Sequence, residues 1–349
     1  MGWSGNVNPS TANIALSPQG SEFLWTWFTL FTASALIIAF VAHNRPSGRR
    51  AFHYIALAIL LITALVYFLL ASNLAWTPIA VEWVRSGSRG ANQIARGAPN
   101  PPTRAIGYGR HIGWVLCWPM LVLLLALVTG FSLSRVFVTM FFAMFMAVCL
   151  LIGALIRTRY KWPLFAFACA CLFYLWWSLL LPGRSTAFKL GDEFGRSFIR
   201  STSILAFLWL VYPIIWACAE GSNLITVTSE SIAYGVLDLL LYIGFIFFFL
   251  FSAEALDYDR LGFSSGKWST GASYPYSGHQ GAPQAGYAAA PQTGMASTST
   301  PAGAAHPAQP APAPSQAAGV PAHPPQEVPK AAPAPAHPTH EPSPLGVTA

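Results

Sequence analysis

Charge is what this sequence has least of. Only 9% of its 349 residues are Asp, Glu, Lys or Arg, against about 25% in soluble globular proteins. So few charges cannot coat a water-facing surface of this size, and 54% of the residues are hydrophobic. That balance points to a polytopic membrane protein. Lysine is scarcer still, with four residues beside fifteen arginines. The formal net charge of +7 is scattered in short clusters between apolar segments. It forms no continuous basic stripe, so nucleic acid is not an expected partner.

Other absences narrow the reading further. Cys117, Cys149, Cys169, Cys171 and Cys218 lie inside apolar stretches with no CxxC or Cys/His spacing. They read as small buried hydrophobes, and no metal site is expected. The polar N-terminus has no basic start followed by a short apolar core, so it does not read as a cleaved signal peptide. No phosphate-binding loop is present: the Gly-rich stretch at 87–97 lacks a flanking strand and helix. No nucleophile, base and orienting group fall on a readable spacing. The chain is not expected to be an enzyme.

What is present is a set of apolar runs of membrane-spanning length, about 20 residues each. Seven are counted: Phe23 to Val41, Ala51 to Leu74, Ile112 to Val128, Val136 to Ile156, Trp162 to Leu181, Ile199 to Ala219 and Ile232 to Phe251. None of these runs, so delimited, contains a lysine. The expected fold is all-α, a seven-helix bundle over residues 21–262. An extracellular segment at 1–20 precedes it. A Pro/Ala-rich cytoplasmic tail at 263–349 follows, read as disordered because it lacks large apolar side chains to offset its ordering entropy. Five histidines scattered in that tail read as spacers. Placing the N-terminus outside leaves ten basic residues on the inner side and eight on the outer, which favours that orientation.

Several side chains stand out inside the runs. Trp209, Tyr212, Pro213 and Trp216 follow i, i+3, i+4, i+7 and share one helix face. Pro213 is expected to kink that helix. The three aromatics suit either a packed core or the wall of a flat ligand. Arg110 and Trp114 are one turn apart; the arginine suits either an interfacial or a buried position. Asp238 lies in the middle of the seventh run, where a carboxylate is costly unless neutralised, paired or hydrated. Glu220 and Glu230 bracket the preceding loop. Together these residues predict a polar cluster of Arg110, Asp238, Glu220 and Glu230, with Tyr67 as a hydroxyl partner and an Arg110–Asp238 latch at its centre.

Three ordered segments carry a resemblance. Arg110-His-Ile-Gly-Trp114-Val-Leu-Cys117-Trp118-Pro119 resembles the third helix of microbial rhodopsins. Trp209-Leu-Val-Tyr212-Pro213-Ile-Ile-Trp216, followed by Glu220-Gly221, resembles their sixth. Val236-Leu-Asp238-Leu-Leu-Leu-Tyr242-Ile-Gly244-Phe245 resembles their seventh. The likeness covers about residues 20 to 262. It implies a chromophore pocket formed by Trp114, Cys117, Trp118, Trp209, Tyr212, Trp216 and Tyr242. It also implies three losses. Tyr242 takes the place of the lysine that binds retinal, Gly113 that of the counterion carboxylate, and Leu124 that of the inner proton donor. A phenol cannot form an imine with an aldehyde, so covalent retinal is not expected.

This pattern is similar to the fungal opsin-related branch, which lacks the lysine and includes a heat-shock-induced plasma-membrane protein of yeast. The resemblance implies a non-photochemical role in stress or ion homeostasis at the plasma membrane. The implied partners are the lipid bilayer and a membrane protein such as a proton ATPase, with self-association left open. Two alternatives stand beside it: an ion or proton channel or transporter that needs no chromophore, and a photoreceptor that binds a polyene non-covalently.

Overall fold

The structure is a computed structural model, and it describes residues 4–84, 101–258 and 261. The tail expected to be disordered lies outside the described residues, as do its histidines. Seven helices are long and apolar enough to cross a membrane: α1 (Pro18–His43), α2 (Ala51–Ala71), α3 (Tyr108–Ala126), α4 (Leu133–Leu155), α5 (Lys161–Leu190), α6 (Asp192–Gly221) and α7 (Val227–Glu254). The all-α seven-helix bundle expected from the apolar runs is what forms.

Most helix starts reach further than the apolar runs, because polar residues continue the turns, whereas α2, α3 and α4 end short of theirs. Ser17 caps α1, its side chain accepting from the Gly20 N–H, and Pro18 takes the first helical position, where a missing N–H costs nothing. Thr226 caps α7, accepting from the Ser229 N–H. α5 begins on Lys161 and ends just after Lys189. The expectation that no spanning segment holds a lysine is therefore corrected: both lysines lie at the ends of α5, and neither is on α7.

A single residue, Gly191, joins α5 to α6. Its φ of 153° is one that an L side chain rarely adopts. Pro119 and Pro213 stand inside continuous helices. Each leaves the carbonyl four residues earlier without its helical donor. π turns occupy Leu179–Gly183, Ala217–Gly221 and Leu239–Phe245. The first contains Pro182, the second Glu220 and the third Tyr242. Such turns often mark functional positions in helices.

The side chains sort by environment. Leu36, Phe40, Phe207 and Phe251 are among many large apolar residues left exposed. On a water-facing surface this would be a liability; facing lipid tails it is the expected outer coat. Inside, close backbone approach substitutes for a water-driven core. At Gly235 an added Cβ would sit 2.6 Å from the Phe23 ring, and the Trp27 indole N–H donates to the Gly235 carbonyl. This clamps α1 to α7.

The connection between α2 and α3 contains two short strands, β1 (Thr77–Ala80) and β2 (Thr103–Ile106), paired antiparallel with Thr77 opposite Ile106. The N-terminal segment pairs with the free edge of β2 through Ile14, opposite Arg104. The Ile14 N–H donates to the Thr103 carbonyl at 2.9 Å, and the Ala105 N–H to the Ile14 carbonyl at 2.8 Å. The segment before α1 is thus tied down along residues 4–17, which its polar composition did not suggest.

Candidate functional site

Asp238 is the centre of the site. It is buried on α7, and each carboxylate oxygen accepts one phenolic hydrogen bond: Tyr67 of α2 donates at 2.7 Å and Tyr212 of α6 at 2.6 Å. Three helices meet at one carboxyl group. Tyr67 takes the hydroxyl role expected of it. Tyr212, expected only as a pocket aromatic, also serves Asp238.

Arg110 does not close on Asp238. No ion pair joins them, and no hydrogen bond from its guanidinium reaches any described residue. The group lies 4.7 Å above the Tyr234 ring, buried at 1% exposure. A buried cation over a ring face gains from the ring quadrupole. The direct Arg110–Asp238 latch is corrected: the tyrosine hydroxyls hold the carboxylate, and the arginine lies against the Tyr234 ring.

The other two acids pair with residues the sequence did not single out. Glu230 forms a fully buried ion pair with Arg104 of β2 at 2.5 Å. Arg104 also donates to Asn223 Oδ1 and to the Ile225 carbonyl, both at 2.6 Å. Glu220 places Oε1 3.5 Å from His111 Nε2, and Oε2 accepts from the Tyr234 hydroxyl at 3.2 Å. Lys161 Nζ lies 3.5 Å from Glu82 and donates to the Glu220 carbonyl at 3.4 Å. Arg104 had no signal beyond being an arginine in a loop, because its partner is 126 residues away. His111 could have been found, since it adjoins Arg110 at the head of the third helix.

Towards the middle of the bundle the aromatics pack on one another. Trp114 stacks on Trp118 at 5.0 Å with 10° between the ring planes. Tyr212 meets both edgewise at 5.2 and 5.3 Å, and Trp209 lies 5.8 Å from Trp118. Trp216 belongs elsewhere. It stacks on Phe165 at 5.2 Å and donates to the Leu150 carbonyl at 3.1 Å, so it joins α6 to α4 and α5. Cys117 is buried beside Thr63, with 3.9 Å between sulfur and hydroxyl.

Tyr242 is buried in the π turn of α7, its ring 6.4 Å from that of Phe31. At Gly113 an added Cβ would come within 2.8 Å of Val66 Cγ2. Leu124 is completely buried. Position 113 is therefore closed by its neighbour, and position 124 is apolar and without water access.

Fold and site together define an opsin-type seven-helix membrane protein, with a tyrosine-held carboxylate and an aromatic middle. The chain belongs to the bacteriorhodopsin-like family, whose model matches residues 20–256. It is 40% identical to Protein FDD123 of Trametes versicolor over 269 residues, covering 77% of this chain and 90% of that one. It is 37% identical to the opsin-like protein carO of Fusarium fujikuroi over 262 residues, 74% of this chain and 82% of that one. The 30 kDa heat shock protein of Saccharomyces cerevisiae is 27% identical over 256 residues, 67% of this chain and 72% of that one. Among solved structures it is similar to a light-driven proton pump from Leptosphaeria maculans, with a TM-score of 0.63 and 27% identity over 71% of this chain and 99% of that one. Relatives of this kind place the chain with fungal opsin-related proteins.

Proposed function

We propose that this chain is a non-photochemical opsin-fold protein that holds no retinal as a Schiff base. On this reading it acts in stress response or ion homeostasis through a partner in the plasma membrane, such as a proton pump. The observation that carries the reading is the pair Tyr242 and Trp118. By the alignment of motifs, Tyr242 stands where the retinal lysine stands in the family. Its phenol offers no amine, and among the described residues the lysines stand at the ends of α5. Covalent retinal does not fit these residues. Trp118, completely buried and stacked on Trp114, fills volume that a polyene would need.

The resemblance to a heat shock protein supports the stress assignment, and the buried polar cluster around Asp238 supports a structural role rather than a photocycle. The N-terminal side, with β1, β2 and the ion pairs, is assigned to the outside, and the tail to the cytoplasm. The deciding experiment is addition of all-trans retinal to the purified full-length protein. The expected spectrum is that of free retinal, removed by washing. A red-shifted band that survives washing would overturn the reading.

A chromophore-independent proton channel is the second reading. It is favoured by two buried side-chain pairs, Lys161 beside Glu82 and His111 beside Glu220; Lys161 meets Glu220 only at its backbone carbonyl, so the two pairs adjoin without forming one side-chain relay. The buried Leu124 opposes it, since it puts an apolar residue where an inner proton donor would stand. Proton flux in reconstituted vesicles, abolished by Asp238→Asn, would favour this reading over the first.

A further inference from the structure

The N-terminal segment forms one wall of an open pocket of about 220 Å³ against the ends of α1 and α2. It is separate from Asp238 and from the aromatic stack. Ser4, Ser10, Ala15, Leu16, Ser21 and Asn73 are among the residues that line it. None of its lining residues is charged, in a part of the molecule otherwise crowded with buried ions.

The polar atoms on its wall are mostly acceptors with capacity to spare. Ser4 Oγ lies 2.7 Å from Ser21 Oγ, and both approach the Ala71 carbonyl, at 2.5 and 3.0 Å. Each hydroxyl carries one proton and two lone pairs, so the two protons serve this triangle while lone pairs remain. Asn73 donates through Nδ2 to the Asn8 carbonyl at 2.6 Å, which leaves its Oδ1 as an acceptor. Ser10 Oγ accepts from the Ala12 N–H at 3.2 Å and retains its proton as a donor. The apolar part of the wall comes from Leu16 and Ala15.

We infer that this pocket binds a neutral polyhydroxyl group. Spare acceptors ask for O–H donors. An anion would face lone pairs with no cation to offset it, and an ammonium would find no carboxylate. At about 30 Å³ per water, the volume equals roughly seven waters, the size of a small polyol or a single hexose ring. It lies below the range of about 300–1,000 Å³ typical of larger ligand sites. The group can come from a free polyol or sugar, or from the sugar headgroup of a lipid. Its occupancy would reach α7, because Ser17, next to Leu16, accepts from the Thr228 hydroxyl at 3.0 Å, two residues before Glu230.

The test uses the full-length protein in lipid nanodiscs and titration calorimetry with glucose and sorbitol. Saturable binding in the millimolar range is expected for both, with each competing against the other. Lactate, a small hydroxylated anion, should give no saturable heat. Ala15→Leu fills the pocket without removing a hydrogen bond and should weaken binding at least about tenfold at an unchanged melting temperature. Ser10→Ala, at an exposed position, should weaken it to a smaller extent. Nanodiscs containing a glucosyl lipid separate the sources. Loss of glucose binding there assigns the site to a headgroup, and unchanged binding assigns it to free polyols. Absence of saturable binding to the unsubstituted protein, equal binding of lactate, or unaltered affinity in Ala15→Leu would each overturn the inference.

Discussion

Arg110 and Asp238 share one buried cluster without forming an ion pair, and Tyr67 and Tyr212 each donate to one oxygen of the carboxylate. The carboxyl group is therefore held by α2 and α6, and the arginine is free to lie on Tyr234. This separates two roles that charge alone would merge.

The first prediction concerns those hydroxyls. Tyr67→Phe and Tyr212→Phe each leave one buried oxygen unpaired, at a cost of about 1–3 kcal/mol. Thermal unfolding in detergent should show a lower midpoint for each. Asp238→Asn keeps an acceptor and adds a donor that a tyrosine oxygen can take, so its loss should be smaller than that of Asp238→Ala. Equal midpoints for Tyr67→Phe and the unsubstituted protein would show that this hydrogen bond holds nothing.

Arg104 and Glu230 give a second. Removing one partner of a buried pair leaves an uncompensated charge, and Glu230→Leu or Arg104→Met alone should cost about 3–5 kcal/mol. The double replacement should recover most of that. The comparison of two single variants with the double in one unfolding assay checks it; a double variant as weak as the sum of the singles would refute the pairing.

Position 113 offers a steric test. Gly113→Asp restores a carboxylate where the pumps of this family carry one, but its Cβ meets Val66 Cγ2 at 2.8 Å. The variant should be destabilised, and Val66→Ala should partly rescue it. No rescue would mean that the closed space is not what keeps a side chain out.

A fourth prediction addresses the proposed loss of retinal. Tyr242→Lys supplies the amine but leaves Trp118 in place, so retinal should give little or no stable pigment. Tyr242→Lys combined with Trp118→Ala should give more. Full pigment from the single variant would show that the aromatic stack does not fill the pocket.

Much of this was legible from side-chain character alone. The apolar runs marked all seven helices, because a bilayer imposes one length on each of them. They missed the ends, since hydropathy reads only the lipid-facing portion. α6 was expected from Ile199 and begins at Asp192, where Arg196 and Arg200 continue the helix in a polar setting. Asp238 stood out as a carboxylate among leucines, and Tyr67 as its hydroxyl partner. Arg104 did not stand out. Nothing local distinguishes it from the other loop arginines, and its burial depends on two four-residue strands folding over Glu230. Likewise Trp216 shares a face with Trp209 by spacing, yet the π turn that starts just beyond it and the packing of α4 and α5 give it a different neighbourhood.

The one-residue joint at Gly191 has a mechanical meaning. α5 and α6 are each 30 residues long, about 45 Å at 1.5 Å per residue, against a hydrocarbon thickness of about 30 Å. Both helices are longer than that thickness and meet at the tip formed by Gly191. An added Cβ at Gly195 would lie 2.4 Å from the Phe188 ring, so the arms touch near that tip. Two arms joined by so short a tie cannot splay independently: a tilt of one is transmitted to the other. A partner that gripped this tip would therefore act on both helices at once, including the one that carries Tyr212.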